Sequence, residues 1–312
     1  MASDETKDIT GPRWLGISER QLALALLLIA PALFCSNMLT ARATHDLFPP
    51  IALAFWRWFA TLLLLMPFIA AALWQHRSAI RREWRDLLIL GALGMGVCGA
   101  FVYIGADTTT ATNIGLIYAA SPILIVLIAR FAYQETVSPL QSLGIALSLT
   151  GVVAIICRGD FGVLAGLSFA AGDLWVVCAM IAWAIYSIML RHRPSAMPLM
   201  VRFAAIVGGG VLILLPFTIA EGVSGDLPPL NTTSFLTVGF LALFASFGAY
   251  QAYGLIQRTL GAGPTGLLMY LIPLYNAVLA FLVLGEDLQL YHLVGAAMVL
   301  PGIYLATRKA AA

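Results

Sequence analysis

The sequence predicts an all-α integral membrane protein in which ten transmembrane helices form two five-helix repeats of inverted topology. Composition is the first of three observations behind this prediction, because the 312 residues are 61% hydrophobic and only 10% charged. A soluble domain of this size cannot bury so much apolar surface, and runs of about 20 apolar residues mark bilayer spans. The number of such runs and an internal repeat are the other two observations.

Apolar runs between turn and charge clusters mark each predicted helix. The first run is expected to be a permanent anchor, because the polar residues before it contain no short apolar stretch with a signal-peptide cleavage site. Most connections are short, so little of the chain is expected outside the bilayer. The ten runs cover residues 21–40, 50–73, 87–106, 112–132, 139–157, 171–190, 198–220, 234–254, 264–284 and 290–307.

Positive charges orient these helices. Thirteen of the 17 Lys and Arg residues fall on one side of the predicted bundle, whereas the other side holds only Arg42 and Arg158. The remaining two, Arg57 and Arg202, lie inside spans. Because an excess of Lys and Arg marks the cytoplasmic side, residues 1–20 are expected to be a cytoplasmic tail, and both termini are expected to be cytoplasmic.

An internal repeat divides the ten spans into two halves. An offset of 151 residues carries the fourth and fifth spans onto the ninth and tenth, so residues 21–157 and 171–307 each hold five spans. Since five is odd, the second half enters the membrane upside down, with the two-fold axis in the membrane plane. The positions that recur at this offset are Gly115, Leu116, Pro122, Glu135, Gly144 and Gly151, matched by Gly266, Leu267, Pro273, Glu286, Gly295 and Gly302.

The end of each half resembles a known membrane-protein repeat. The sequence Leu-Gly-Glu-Asp-Leu at 284–288, followed by Gly295 and Gly302, resembles the end of an EamA-type repeat, with a weaker copy around Glu135. The chain is therefore similar to the drug/metabolite transporter superfamily, and most similar to bacterial aromatic amino-acid and metabolite exporters. This resemblance implies a multi-pass protein of the bacterial inner membrane, with the third, fourth, eighth and ninth helices around a central cavity.

No Asp or Glu falls near the middle of a predicted span. Asp107, Glu135, Asp173 and Glu286 all lie at predicted helix ends. Ion-coupled carriers commonly place ionisable residues deep in the membrane, where such residues are costly and usually functional. The absence of a deep carboxylate favours facilitated diffusion, or export down a gradient, over proton coupling through such a group. Unwound backbone carbonyls remain available to a cation.

Arg57 lies clearly inside a span, in the sequence Phe-Trp-Arg-Trp at 55–58. One interpretation is a substrate-binding residue whose partner is a carboxylate on the substrate. The other is a side chain that reaches the nearby interface, flanked by Trp56 and Trp58 in an aromatic belt. For Arg202, which is closer to its helix end, the second interpretation is favoured.

Pro122 and Pro273 occupy equivalent positions in the fourth and ninth spans. A proline inside a helix frees the carbonyl four residues earlier, here on Tyr118 and Met269. Backbone groups without a hydrogen bond in their own helix are tolerated inside the membrane only where other protein groups or the water of a cavity bind them. The symmetric placement favours a pair of kinks that line and gate a substrate site over ordinary packing kinks.

Polar and aromatic residues surround these prolines. They offer hydrogen bonds for the polar head of an amino acid and rings that stack on its side chain. For any single tyrosine, an interfacial anchor or an interhelical hydrogen bond is the alternative. The candidate substrate-binding residues besides Arg57 are Tyr103, Asn113, Tyr118, Ser121, Trp183, Tyr250, Tyr253, Tyr270, Tyr275 and Asn276, with Gln251, Trp175 and Tyr186 nearby.

Several patterns argue against other chemistry. The Gly-x-Gly-x-x-Gly sequence at 94–99 lies inside a predicted helix, without the strand that a dinucleotide site requires. The four histidines and four cysteines are scattered, so no metal site and no cofactor are predicted. A net charge of +2 is too small to suggest nucleic-acid binding.

Together these observations predict a secondary transporter or exporter of small amphipathic metabolites, above all aromatic or apolar amino acids, that works by alternating access. Its expected partners are the small-molecule substrate and the lipid bilayer, and neither nucleic acid nor nucleotide is expected. Alternatives are an exporter of cationic drugs or other metabolites, and a channel-like or scaffold membrane protein. An intramembrane enzyme is a further alternative, although the sequence shows no catalytic constellation.

Overall fold

Ten helices long and apolar enough to cross a membrane form the part of the protein that the structure describes. The computed structural model describes residues 18–43, 48–168, 170–224, 228–279, 281–282 and 287–307. No strand occurs within these ranges, so the predicted all-α fold class is confirmed. Most of the predicted tail, the turn that carries Glu286, and residues 308–312 lie outside the described residues.

The ten helices follow the predicted order along the chain. They are α1 (Glu19–Ala43), α2 (Pro50–Gln75), α3 (Arg77–Ala106), α4 (Ala111–Ala119 and Ser121–Tyr133), α5 (Pro139–Ile156), α6 (Ala171–His192), α7 (Leu199–Val223), α8 (Thr232–Leu260), α9 (Ala262–Gly266 and Leu268–Leu279) and α10 (Leu290–Thr307).

Two helices are longer than the apolar runs that predicted them. α3 begins at Arg77 rather than at position 87, and α8 continues to Leu260 rather than ending at position 254. A helix satisfies its own backbone hydrogen bonds, so it continues past the hydrocarbon edge into the polar interface. The apolar pattern therefore marks where the hydrocarbon ends, whereas the helix itself ends later.

The contact between α5 and α10 shows the inverted repeat directly. A Cβ atom added at Gly144 would lie 2.5 Å from the carbonyl oxygen of Gly302, and one added at Gly151 would lie 2.8 Å from that of Gly295. The repeat offset carries Gly144 to Gly295 and Gly151 to Gly302, so the two close contacts are images of each other. Such reciprocity is the signature of a two-fold interface.

Ser148 and Val299 lie at the centre of this contact. The Ser148 hydroxyl donates to the Val299 carbonyl at 3.4 Å, and the two residues are separated by the repeat offset itself. A residue that meets its own repeat image lies next to the two-fold axis. Because the images meet on two helices that run in opposite directions, this axis lies across the helices and in the membrane plane. The predicted inverted topology is thereby confirmed.

π-helical segments interrupt α3 and α8 at equivalent positions. They cover Ala92–Val97 and Leu241–Gly248, and the repeat offset carries the first segment onto residues 243–248. π-Helical turns are rare in proteins and occur frequently at functional sites. The Gly94 carbonyl accepts a hydrogen bond from the Tyr250 hydroxyl, and the Ala242 carbonyl accepts one from the Thr61 hydroxyl, both at 3.3 Å. Side chains of neighbouring helices thus bind both segments.

Candidate substrate site

A cluster of aromatic rings fills the interior between α2, α6 and α8. The ring centroids of Trp58 and Tyr250 lie 4.9 Å apart, those of Trp183 and Tyr253 4.8 Å, and those of Trp183 and Tyr186 5.6 Å. All five side chains are buried. Of the residues expected at the site from the sequence, Trp183, Tyr186, Tyr250 and Tyr253 are therefore brought together, and we call them with Trp58 the aromatic cluster.

One of the two interpretations of Arg57 placed Trp58 beside Trp56 in an interfacial belt, but the two side chains differ in exposure. Trp58 is fully buried, whereas Trp56 is 39% exposed. Neighbouring residues on a helix face different directions, so only one of the pair faces the lipid. Phe34 of α1, which was not among the residues predicted at the site, packs on the cluster with its ring centroid 5.8 Å from those of Trp183 and Tyr250.

Arg57 points into the bundle beside this cluster. Its side chain is 3% exposed, and its Cζ atom lies 4.6 Å from the centroid of the Trp58 ring. Its Nη1 atom donates to Asn37 Oδ1 at 2.5 Å and to Tyr103 Oη at 3.0 Å. No carboxylate forms an ion pair with Arg57 among the described residues. The side chain therefore faces the interior of the bundle and not the lipid.

Asn37 links Arg57 to Tyr103 and was not among the site residues predicted from the sequence. The Tyr103 hydroxyl donates to Asn37 Oδ1 at 2.6 Å, so one amide oxygen accepts from both side chains. The signal that identifies Asn37 is its place among the last polar residues of an otherwise apolar span, next to Ser36. Polar residues within spans are informative because they need partners there.

α4 is broken where Pro122 predicts. Ala120 separates its two segments, and Pro122 is the second residue of the second one. Tyr118, just before the break, places its hydroxyl 3.6 Å from Cys98 Sγ of α3. Ser121 is fully buried and its hydroxyl has no partner among the described atoms. The break thus presents polar groups to the interior.

α9 is broken at a different place from the one the sequence predicted. The interruption falls at Leu267, and the second segment runs without a break past Pro273. The preceding turn, Ala262–Gly266, contains two glycines and a proline, which are the weakest helix formers. A Cβ at Gly266 would lie 3.6 Å from Pro122 Cα, so the two breaks meet although they are not repeat images. The break next to Pro122 therefore has no counterpart at Pro273, which lies inside the second segment of α9.

Three other expected site residues lie apart from one another. Tyr270 is fully buried, and its hydroxyl has no partner in the described part of the chain. Tyr275 instead donates to the Leu28 carbonyl of α1. Asn276 is partly buried. Tyr270 and Asn276 thus each have a buried polar atom without a partner among the described residues, Oη and Oδ1 respectively, whereas the Tyr275 hydroxyl is already bound.

Asn113 belongs to a helix-end cluster and not to the aromatic cluster. Its side-chain amide donates to Asp173 Oδ2 at 3.0 Å, and the Ala170 backbone N–H donates to the same oxygen at 2.9 Å. The Thr109 hydroxyl also donates to this carboxylate. Asp173 therefore ties the start of α6 to the α3–α4 turn, as expected of an acid at a helix end.

Two other residues at helix ends, Glu135 and Arg202, also have local partners. Glu135 Oε1 lies 3.0 Å from His192 Nε2, and Asp107 is exposed. Arg202 donates to the carbonyls of Leu190 at 3.2 Å and Arg193 at 2.8 Å, so it caps the C-terminus of α6. Cationic side chains near the C-terminus of a helix can donate hydrogen bonds to its last carbonyl groups, which have no partner within the helix.

A small cavity lies beside the aromatic cluster. This cavity of about 10 Å³, enough for roughly one water molecule, lies between α6, α7 and α8. Tyr186, Tyr250, Gln251 and Arg202 are among the residues that line it. Trp175 does not close it, because that ring is 42% exposed and packs on Phe101.

A bundle of ten transmembrane helices in two inverted repeats, with an interior of buried polar and aromatic side chains, defines a multi-pass membrane transporter. The model of the EamA-like transporter family matches residues 21–157 and 170–308. The chain belongs to the EamA-like transporter family, which confirms the resemblance found in the sequence.

Relatives in other organisms extend over most of the chain. The uncharacterized transporter YyaM of Bacillus subtilis is 25% identical over 272 residues, which cover 86% of this chain and 87% of that protein. An uncharacterized transporter of Archaeoglobus fulgidus is 24% identical, with 83% and 88% covered. The uncharacterized inner membrane transporter YedA of Escherichia coli is 24% identical, with 87% and 86% covered.

A solved structure supports the fold. A protein crystal structure with 20% sequence identity matches with a TM-score of 0.71, covering 91% of this chain and 96% of the other. At this identity, the likeness concerns the fold alone.

Proposed function

We propose that the protein is a secondary carrier of small amphipathic metabolites, above all aromatic and apolar amino acids, in the inner membrane. The observation that carries this proposal is the aromatic cluster beside Arg57 at the core of the inverted repeat. Aromatic rings bind an apolar or aromatic side chain, whereas the arginine and tyrosine hydroxyls bind polar groups.

Alternating access fits this arrangement. Carriers with inverted repeats bind substrate near the midplane and move one half against the other. The cavity beside the aromatic cluster is too small for an amino acid, so a substrate fits there only after the aromatic side chains move apart, as a carrier requires. We expect the halves to pivot at the α5–α10 contact, where backbone meets backbone and little sliding is possible.

We expect the substrate's own concentration gradient to drive transport, without coupling to protons. The carboxylates of Asp173 and Glu135 bind neighbours at helix ends, and Glu221 of α7 accepts hydrogen bonds from the backbone N–H groups of Ile51 and Ala52 at the start of α2. These partners lie at helix ends and outside the aromatic cluster, so none of the three carboxylates is placed to relay a proton with each substrate.

Proteoliposomes test the proposal. Uptake of radiolabelled amino acids is measured with and without unlabelled substrate inside, and with and without a proton gradient. Saturable uptake that internal substrate accelerates supports a carrier, whereas flux that rises linearly with concentration indicates a channel. Uptake that requires the proton gradient contradicts the facilitated mechanism, and Asp107 and Asp173 are then the first residues to substitute.

Matched variants locate the site. Trp183→Leu removes a ring of the aromatic cluster and is expected to raise KM for aromatic amino acids. Trp84→Leu, on an exposed ring in α3, is the control that leaves KM unchanged.

We further propose that both termini face the cytoplasm. In a variant without its four native cysteines, a cysteine at Arg82 is expected to react with a membrane-impermeant reagent only from the cytoplasmic side. A cysteine at Phe161, between α5 and α6, is expected to react only from the outside. The reverse labelling pattern contradicts this orientation.

A further inference from the structure

The Arg57 charge has no counter-charge in the described part of the bundle. A guanidinium stays protonated in proteins, and a buried charge is strongly unfavourable without an opposite one. The hydrogen-bond partners of Arg57, Asn37 Oδ1 and Tyr103 Oη, are both neutral groups. The stacking of Arg57 on Trp58 stabilises the cation only in part.

One edge of the guanidinium is free. The hydrogen bonds that the structure shows for Arg57 use Nη1 alone, and Nε is buried without a partner. The Nε–Nη2 edge is one of the two edges that bind a carboxylate through two parallel hydrogen bonds. Because Asn37 and Tyr103 hold Nη1, they leave this edge available.

A second unpaired donor lies beside the free edge. Trp58 Nε1 is buried and has no partner among the described atoms. A Cβ at Gly99 of α3 would lie 3.2 Å from Trp58 Nε1 and 3.6 Å from Arg57 Nη2. Both side chains therefore lie against Gly99, where even a Cβ would be in tight contact with Trp58 Nε1, so an anion can bind between them only after α2 and α3 move apart.

We propose that Arg57 and Trp58 bind the anionic group of the transported molecule, a carboxylate or comparable oxyanion, and that the protein thereby selects anionic and zwitterionic substrates against organic cations. This inference rests on the proposed carrier function. Asn37 is a positioning residue that holds the guanidinium through Nη1. The Trp58 ring packs on Tyr250, so a substrate bound by its carboxylate at Arg57 extends its side chain toward the aromatic cluster.

Two substitutions separate this role from a structural one. Arg57→Gln removes the positive charge. Asn37→Asp keeps the shape of the side chain but adds a carboxylate at the atom that lies 2.5 Å from Arg57 Nη1, so that the protein supplies its own counter-ion. Both are expected to weaken anion binding, whereas Asn37→Asp is expected to raise the unfolding temperature, because it compensates a buried charge. A purely structural role predicts unchanged anion binding in Asn37→Asp.

The binding experiment uses the full chain in detergent and three probes that share a phenyl ring. Phenylalanine carries a carboxylate and an ammonium group, 3-phenylpropionate carries the carboxylate alone, and phenethylamine carries the ammonium alone. Ligand-induced shifts of the unfolding temperature give their relative affinities. The wild type is expected to bind both carboxylates at least tenfold more tightly than phenethylamine.

The variants are expected to lose this preference. Arg57→Gln and Asn37→Asp should each bind the two carboxylates roughly 10- to 100-fold more weakly, the range expected for lost charge-assisted hydrogen bonds. Arg130→Gln, at the exposed end of α4, is the matched control and should bind like the wild type.

Three outcomes overturn the inference: equal binding of phenethylamine and the carboxylates by the wild type, wild-type carboxylate affinity in Asn37→Asp, or no carboxylate binding by the wild type. Counterflow in proteoliposomes tests the carrier function independently. Trans-stimulated uptake of phenethylamine by wild type and Arg57→Gln alike means that the protein is a carrier without anion selection.

Discussion

Gly144→Ala is the sharpest test of the contact between the two repeats. The new Cβ would lie 2.5 Å from the carbonyl oxygen of Gly302 and 2.6 Å from the backbone nitrogen of Ala306. Both are backbone atoms and cannot rotate away, so α5 and α10 must separate by about 0.9 Å to reach ordinary contact. Overpacking of this kind costs about 1–3 kcal/mol.

The matched control is Gly208→Ala in α7, where no atom lies within 4 Å of the added Cβ. Alanine is a better helix former than glycine by about 1 kcal/mol, which affects both variants equally. The difference between them therefore isolates the overpacking. At roughly 2 °C per kcal/mol for a large chain, a difference of about 1–3 kcal/mol gives a gap of about 2–6 °C in unfolding temperature.

The assay is thermal unfolding of both variants in the same detergent, at equal protein concentration. Gly144→Ala is expected to unfold below the wild type and Gly208→Ala at or slightly above it. An unfolding temperature of Gly144→Ala equal to that of Gly208→Ala would refute the argument, because α5 and α10 would then have room between them.

The other predictions concern the interior and the helix ends. The Asp173 carboxylate accepts hydrogen bonds from Thr109, Asn113 and Ala170, and Asp173→Asn replaces one of its oxygens with an NH2 group that can only donate. This change should lower the free energy of unfolding by about 1–3 kcal/mol, whereas Asp107→Asn should change it little. Equal stability of the two variants contradicts this role. Thr61→Val removes the hydroxyl that donates to Ala242, and should speed amide hydrogen exchange within Leu241–Gly248 relative to the same measurement on Ala92–Val97. Pro273→Ala should slow transport more than it lowers expression, because alanine restores a backbone N–H that can donate to the Met269 carbonyl. An equal loss of transport and expression identifies Pro273 as a packing residue.

The fold was predictable from the sequence because the bilayer imposes strong rules. Span length and hydropathy located the ten helices, and the glycines at positions such as 144 and 295 recur at one offset because each half repeats the same close contact. The ends of α3 and α8 were missed, since the amphipathic turns beyond the hydrocarbon carry no apolar signal. The π-helical segments were missed as well, because a π-helix differs from an α-helix in hydrogen bonding and has no distinctive composition.

The site was predictable only in part. Aromatic residues on α6 and α8 do meet, because large side chains on interior faces have nowhere else to pack. Asn113 and Tyr275 were placed incorrectly, since the sequence gives the helix of a polar residue but not the neighbour that binds it. The break in α9 moved to Leu267 because local glycines outweighed the proline downstream. Asn37 was not selected, although it is a polar residue in an apolar span, because its contact with Arg57 exists only in the folded bundle.

The reciprocal contact of α5 and α10 has a further consequence. Gly144 and Gly151 both lie in the first half, and each meets the image of the other, so one half alone carries both complementary surfaces. The interface is thus that of an antiparallel homodimer whose subunits have become a single polypeptide. A free half would have to insert into the membrane in both orientations to form it. Fusion removes that requirement, because one biased set of positive charges can then direct the insertion of the entire molecule.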